Sequence, residues 1–178
     1  MKIKSEPLPA ALVLEPNVFE DKRGNFVKTF QKPAFSTLKI NFHPQEEFYS
    51  TSNRDVLRGM HFQLPPHDHD KLVYCIRGAV LDVILDIRKN SPAFGRSAAV
   101  ELTAQNHLLF FIPKGFAHGF LSLEDETVMI YKTSTVHAPS HDAGIRWDSF
   151  GFQWPVKKPI LSDRDNSFPA LADFRSPF

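Results

Sequence analysis

VLRGMHFQLPPHDHDKLVYCIRGAVLDVILDIR, residues 56–88, reads as three β-strands and one loop. KLVYCIR and AVLDVILDIR are runs of Val, Ile and Leu joined at Arg77-Gly78, and LRGMHFQ before them has the same β-prone character. Pro65 and Pro66 make LPPHDHD a loop. LRGMHFQ breaks the pattern, because Arg58, Gly59 and His61 stand where alternation predicts only apolar and solvated positions. Residues three apart face opposite sides of a flat strand, so Arg58 and His61 can line one cavity only if the strand is distorted between them. Gly59 is where a bulge costs least.

These side chains carry a chemistry of their own. His61 has an unperturbed pKa of about 6.5, so a neutral imidazole can take a proton near neutral pH. Arg58 is a permanent cation with a planar fork suited to phosphate, and Lys71 is a compact cation able to steady a developing oxyanion. A base, a phosphate clamp and an oxyanion partner thus fall within one hairpin-sized stretch.

Outward from this stretch, 178 residues suit one domain, 1–178, with a substantial core. A hydrophobic fraction of 42%, with 17 Phe, excludes disorder, and 14 Pro among short β-prone runs predict an all-β architecture rather than a helical bundle. Lys and Arg total 21 against 20 Asp and Glu, without basic blocks, which leaves no electrostatic footprint for nucleic acid or an anionic membrane. The N-terminus, MKIKSEPLPAALVLEPNVF, suits neither a signal peptide nor a spanning helix, so the expected compartment is the cytoplasm. Cys75, the single cysteine, is expected as a buried small hydrophobe.

Along the chain, ALVLEPNVF reads as an edge strand limited by Pro16, and Lys22-Arg23-Gly24-Asn25 as a turn between strands. KPAFSTLKINF suits one short helix, and QEEFYSTS returns to alternation. Asp82 and Asp86 share an apolar face with Val80 and Ile84, either paired with a cation or, for Asp82, set inside a cavity. AAVELTAQNHLLFFIPKGFAHGF predicts two strands, with His118 just after the Pro113-Lys114-Gly115 turn. Tyr131 is either core packing or a proton donor. The Pro-interrupted segment PILSDRDNSFPALADFRSPF is expected to wrap over a sheet, with Asp165 in it able to orient a histidine.

His67 and His69 form an HxH pair of the kind that supplies two metal ligands in metal-binding cupins, with His118 as a candidate third. The glutamate such sites need is missing from Asp70-Lys71-Leu72-Val73-Tyr74, and Lys71 would oppose a divalent ion. No metal is therefore expected.

Taken together, FEDKRGNF, VLRGMHFQLPP, KLVYCIRG, DVILDIRKNSPAFG, IPKGFAHGF, IYK, GIRW and WP with ILSDRD resemble the dTDP-4-dehydrorhamnose 3,5-epimerase family from about Val13 to Asp165. The resemblance implies a cupin-type jelly-roll barrel with a few short helices, a homodimer, no metal or cofactor, and a nucleotide-linked 4-keto-6-deoxyhexose as substrate. It also implies roles: His61 as general base, Asp165 as its orienting partner, Tyr131 as the acid on the opposite face, and Lys71 as the enolate's counter-charge. Arg23 and Arg58 match positions that hold the nucleotide or its diphosphate, and His118, Asp82 and Gln63 match residues near the substrate. Asp142 and Arg164 stand where the family more often has glutamate and lysine. Lys28, Glu46 with Phe48, and His137 depart from the family at positions that concern the nucleotide. A carboxylate at Glu46 or Glu47 could accept from the cytosine amino group as well as from thymine N3–H, so the departures leave CDP beside dTDP as the carrier. Single-site epimerases keep the same histidine and tyrosine, so inversion at C3, C5 or both stays open.

Overall fold

The computed structural model describes residues 1–178. The chain begins with β1 (Lys2–Leu8), β2 (Ala11–Glu15), β3 (Val18–Asp21) and β4 (Gly24–Val27), followed by the short helix α1 (Lys32–Thr37). Next come β5 (Glu46–Ser52), β6 (Leu57–Gln63), β7 (Lys71–Arg77), β8 (Ala79–Asp86) and β9 (Ser97–Thr103). β10 (Leu109–Ile112), β11 (Phe116–Ser122), β12 (Thr127–Thr133) and β13 (Asp142–Gly144) complete the strands, and α2 (Asp163–Ser167) lies in the C-terminal segment. Two antiparallel sheets result, one ordered β1-β2-β10-β7-β12-β5 and the other β13-β6-β11-β8-β9, with β3 and β4 as a separate hairpin. This is the jelly-roll barrel of the cupins. No helix is long and apolar enough to cross a membrane.

The main core lies between the sheets, where Val73 and Cys75 of β7 and Met129 of β12 meet Val80 and Ile84 of β8 and Phe120 of β11. Both outer faces are covered as well. Phe35 of α1, with Ile40 and Phe42, packs on Leu72, Tyr74, Leu109 and Phe111 of the first sheet. The C-terminal segment lays Phe150, Phe152, Trp154, Phe174 and Phe178 over Met60, Phe62, Val83 and Leu85 of the second. Burial on both faces explains why β7 and β8 read as near-continuous apolar runs rather than as alternation.

Three details differ from the sequence reading. ALVLEPNVF splits at Pro16-Asn17, and β2 is an inner strand because β1 pairs along its outside. β1 was invisible because most of it is exposed and carries no alternation. AAVELTAQNHLLFFIPKGFAHGF holds three strands, because the Asn106 side chain accepts the N–H groups of Thr103 (3.1 Å) and Leu108 (3.0 Å) and ends β9 before β10 begins.

The distortion required in β6 is present. His61 pairs with His118 and Arg58 with Phe120, so three steps along β6 oppose two along β11, with Gly59 in the extra step. Gly59 has φ +140°, and a Cβ there would lie 2.5 Å from Gly119 Cα. Only glycine permits so close a backbone approach in that conformation.

Candidate active site

The one-residue shift turns Arg58, His61 and Gln63 toward the space between the sheets, where they line a cavity of about 460 Å³. Alternation along β5 and β12 brings Glu46, Phe48 and Ser50, and Tyr131 and Thr133, to the opposite wall. Lys71 of β7 and His118 of β11 form part of the lining, with His69 and His137 from loops, Asp142 of β13 and Arg164 of α2.

Asp165 lies behind His61, not in the cavity. Ser162 caps α2 by accepting the Asp165 N–H (3.1 Å), and this short helix presents the carboxylate to β6. Oδ2 accepts the Gly59 N–H (3.0 Å), and Oδ1 stands 2.8 Å from His61 Nε2. Burial alone would raise the Asp165 pKa, but the bonds from His61 and Gly59 prevail and hold it at about 2, so the group is ionised. Arg164 Nη2 also lies 2.8 Å from His61 Nε2, and the two contacts exclude each other: an N–H there donates to Asp165, a lone pair accepts from Arg164. The anchored, ionised carboxylate wins, and the firm partner of Arg164 is Asp142 Oδ2 at 2.5 Å. His61 Nδ1 is left as the free basic position. Burial, opposed by Asp165, holds the His61 pKa below its ordinary value.

Lys71 Nζ donates to the His61 carbonyl (3.1 Å). Burial, only partly offset by Asp142 and Asp82, lowers its pKa to about 8, which leaves most of the ammonium charged at pH 7. Across the cavity, Tyr131 stacks on Phe48 at 4.8 Å and 12°, with its hydroxyl 2.9 Å from Ser50 Oγ. Burial pushes the phenol well above its ordinary pKa, so it stays protonated. His118 and Asp82, both buried, pair at 2.9–3.0 Å deeper in the sandwich. Asp86, on the same face of β8, pairs with Arg88 at 2.6 Å instead and takes no part in the cavity.

The nucleotide candidates divide. Arg58 is at the cavity, with Nε donating to Ser52 Oγ (3.0 Å) and Nη2 to the Thr51 carbonyl (3.1 Å). Glu46 lines the cavity too and accepts the His137 N–H at 3.0 Å, whereas Glu47 points to the other face of the sheet and pairs with Lys132. Arg23 and Lys28 are not brought to the cavity of their own chain. Arg23 sits in the β3–β4 turn with an 84% exposed side chain bound to Asp21, and Lys28 follows the hairpin, its Nζ 6.0 Å from the Phe26 ring. A turn motif shows where the chain reverses but not which way the hairpin projects.

His67 does not join His69 and His118 as a ligand set. Its ring packs on His141 at 4.4 Å, and nowhere are three His, Cys, Asp or Glu side chains gathered as metal ligands. Sequence reasoning missed Ser50 and Thr133, which line the wall; position i+2 from a chosen residue on an alternating strand was the signal available for both.

The sequence profile of the family "dTDP-4-dehydrorhamnose 3,5-epimerase" matches residues 5–173. The dTDP-4-dehydrorhamnose 3,5-epimerase of Shigella flexneri is 44% identical over 168 residues, covering 92% of this chain and 91% of that protein. The crystal structure of the Bacillus anthracis enzyme of the same name, with TDP and PPi bound, superposes with a TM-score of 0.94 at 38% identity, covering 96% of this chain and 99% of the other. The dTDP-6-deoxy-D-glucose-3,5-epimerase of Legionella pneumophila, in complex with dTDP-4-keto-L-rhamnose, gives 0.93 at 32% identity, covering 98% of this chain and 94% of the other. With this agreement along nearly the whole chain, in sequence and in backbone, the protein belongs to the dTDP-4-dehydrorhamnose 3,5-epimerase family of carbohydrate isomerases.

Proposed function

We propose that the protein epimerises a dTDP-linked 4-keto-6-deoxyhexose in deoxysugar biosynthesis, using His61 as base and Tyr131 as acid. The observation that carries this reading is the placement of an oriented His61–Asp165 pair and a protonated Tyr131 on opposing sheets of one cavity, with Lys71 in its lining. A ketone at C4 acidifies the hydrogens at C3 and C5, because the electron pair left behind delocalises into an enolate. His61 Nδ1 takes the proton, the ammonium of Lys71 faces the oxygen that gains charge, and the Tyr131 hydroxyl returns a proton to the other face of the carbon. Ser50, bonded to that hydroxyl, is placed to resupply it. Nothing in this sequence requires a cofactor.

His118, held from behind by the buried Asp82, faces the sugar, while Arg58 and Arg164, the latter held by Asp142, serve the diphosphate end with Gln63 shaping the wall. Glu46, Phe48 and His137 flank the nucleobase. One Glu46 oxygen is already engaged by His137, and the relatives named above carry dTDP, so we assign thymine rather than cytosine. Arg23 and Lys28 fit this scheme through a homodimer, in which a second copy covers the exposed Phe19 and Phe26 of the hairpin and receives both cations at its own cavity. The balanced charge and the lone buried cysteine suit an enzyme of the cytoplasm that binds neither nucleic acid nor membrane.

The test is solvent exchange. In D₂O the protein is expected to place deuterium at C3, C5 or both of a dTDP-linked 4-keto-6-deoxyhexose, followed by NMR, and the labelled carbon shows which centre is inverted. No exchange above background with either the dTDP-linked or the CDP-linked substrate would remove the enzymatic reading.

The rate should also have two pH limbs. On the acid side His61 must lose its proton, and its depressed pKa puts that limb below the ordinary histidine value of 6.5. On the basic side the ammonium of Lys71 is lost, so the rate falls as pH rises through about 8. Lys71→Arg, whose charge persists, should lift the basic limb to higher pH whatever it does to the plateau. A parent profile flat to pH 10 would show that the Lys71 charge is not used.

A further inference from the structure

His69 lines the cavity, yet the proton transfers give it no part, and its ring is held in one tautomer. Gln63 decides which. The Gln63 amide is clamped by backbone on both sides: Oε1 accepts the Ala138 N–H at 2.6 Å, and Nε2 faces the carbonyls of His67 at 2.8 Å and Val136 at 3.3 Å. A flipped amide would set donor against donor and acceptor against acceptor. Its Nε2 also stands 3.1 Å from His69 Nδ1, with the Thr135 hydroxyl 3.2 Å from the same atom. The two hydrogens of the amide go to its two nearest acceptors, the His67 carbonyl and His69 Nδ1, rather than to the more distant Val136 carbonyl. Nδ1 therefore offers a lone pair, and the hydrogen of the neutral ring sits on Nε2. That Nε2 is buried without any hydrogen-bond partner in the protein.

An unpaired buried N–H is a standing cost that a suitable ligand atom relieves. Burial first, then the charge of Lys71 and the neighbouring His118 and His137, hold the His69 pKa down to about 3, so the ring stays neutral throughout the working range. In that state Nε2 donates and cannot accept. Lys71, two residues further along, lines the same cavity and is likewise donor-only, with one of its three hydrogens given to the His61 carbonyl. Two donor-only groups in one cavity lining suit an oxygen with two lone pairs and no hydrogen of its own. A ketone oxygen is such an atom, and so is the enolate oxygen it becomes.

We propose that His69 Nε2–H hydrogen-bonds to the C4 carbonyl oxygen of the sugar and, with Lys71, holds the charge that develops there as the enolate forms. The proposal rests on the epimerase reading above. A neutral donor adds stabilisation at the oxyanion without a second positive charge beside Lys71, which would depress the lysine pKa further.

Two variants and one spectroscopic measurement test it. His69→Leu removes the donor, whereas His69→Gln keeps an N–H of similar reach. His69→Leu should lower kcat for exchange by about 10²-fold, the usual loss for one oxyanion donor, with KM and dTDP affinity changed only a few-fold. His69→Gln should recover at least a tenth of the parent kcat. In ¹⁵N-histidine NMR of the His61→Ala protein, where turnover is slowed by about 10²–10⁴-fold, His69 should be the Nε2–H tautomer from pH 5 to 8. Its Nε2–H signal should move on adding the dTDP-linked 4-keto sugar but not on adding dTDP, which has the diphosphate and no ketone. A His69→Leu protein within threefold of the parent kcat, a hydrogen found on Nδ1, or a signal that moves equally with dTDP alone would each overturn the assignment. If the parent itself shows no exchange, the epimerase reading fails; if the parent exchanges and His69→Leu does too, only the present proposal fails.

Discussion

His61→Ala is expected to lose deuterium incorporation at the sugar carbons by about 10²–10⁴-fold, the range a positioned general base supplies. Folding should survive, because the His61 side chain is 23% exposed at the wall of an open cavity and its removal enlarges that cavity rather than opening a sealed void in the core. The partner residue separates orientation from basicity. Asp165→Asn keeps an oxygen for the Gly59 N–H, which Asp165→Ala would leave buried and unpaired. It removes the ionised acceptor that keeps the hydrogen on His61 Nε2, so Nδ1 no longer presents its lone pair in every molecule. The expected result is a rate between those of the parent and His61→Ala, with dTDP affinity by calorimetry unchanged. An Asp165→Asn protein as fast as the parent would mean that the pair is structural and that the base acts without it.

Residues near one another in sequence were legible because strand geometry is local. The Arg58-Gly59-Met60-His61 order demands a bulge if two polar side chains three apart are to meet one cavity, and the register of β6 against β11 contains that extra residue. The same reasoning found Asp82 and Asp86 on one inward face but could not say that one meets His118 and the other Arg88, since a face does not name its partner. The His61–Asp165 contact spans 104 residues and depends on a helix of five residues capped by Ser162. No periodicity in the sequence reports such a contact, and only the family resemblance supplied it. The position of the β3–β4 hairpin was beyond reach for a related reason: turn chemistry fixes the reversal at Lys22-Arg23, while the direction of projection depends on what the exposed Phe19 and Phe26 meet. The His69 tautomer lies further still from the sequence, because it is set by a Gln63 amide that takes its own orientation from the backbone of Ala138, Val136 and His67.

Tyr131→Phe should split inversion from exchange. The phenylalanine ring keeps the stacking on Phe48 at 4.8 Å and loses only the hydroxyl and its bond to Ser50, so the stability cost is that of one hydrogen bond, about 1 kcal/mol. Proton abstraction depends on His61 and Lys71, which the change does not touch, and the enolate still forms. With no acid on the far face, the carbon is reprotonated from the His61 side, where the ring exchanges its own proton with solvent. Deuterium then enters with retention of configuration. The inverted product should fall by about 10²–10⁴-fold while incorporation into unreacted substrate falls far less, so the ratio of exchange to inversion rises by a comparable factor. An NMR time course in D₂O reads both quantities from one sample, since the two epimers and their labelled positions give separate signals. Equal loss of exchange and inversion would mean that the hydroxyl serves enolate formation as well, acting on the carbonyl rather than on the far face of the carbon. Inversion at the parent rate would return Tyr131 to the core as a packing residue and leave the half-buried Ser50 contact without a catalytic purpose.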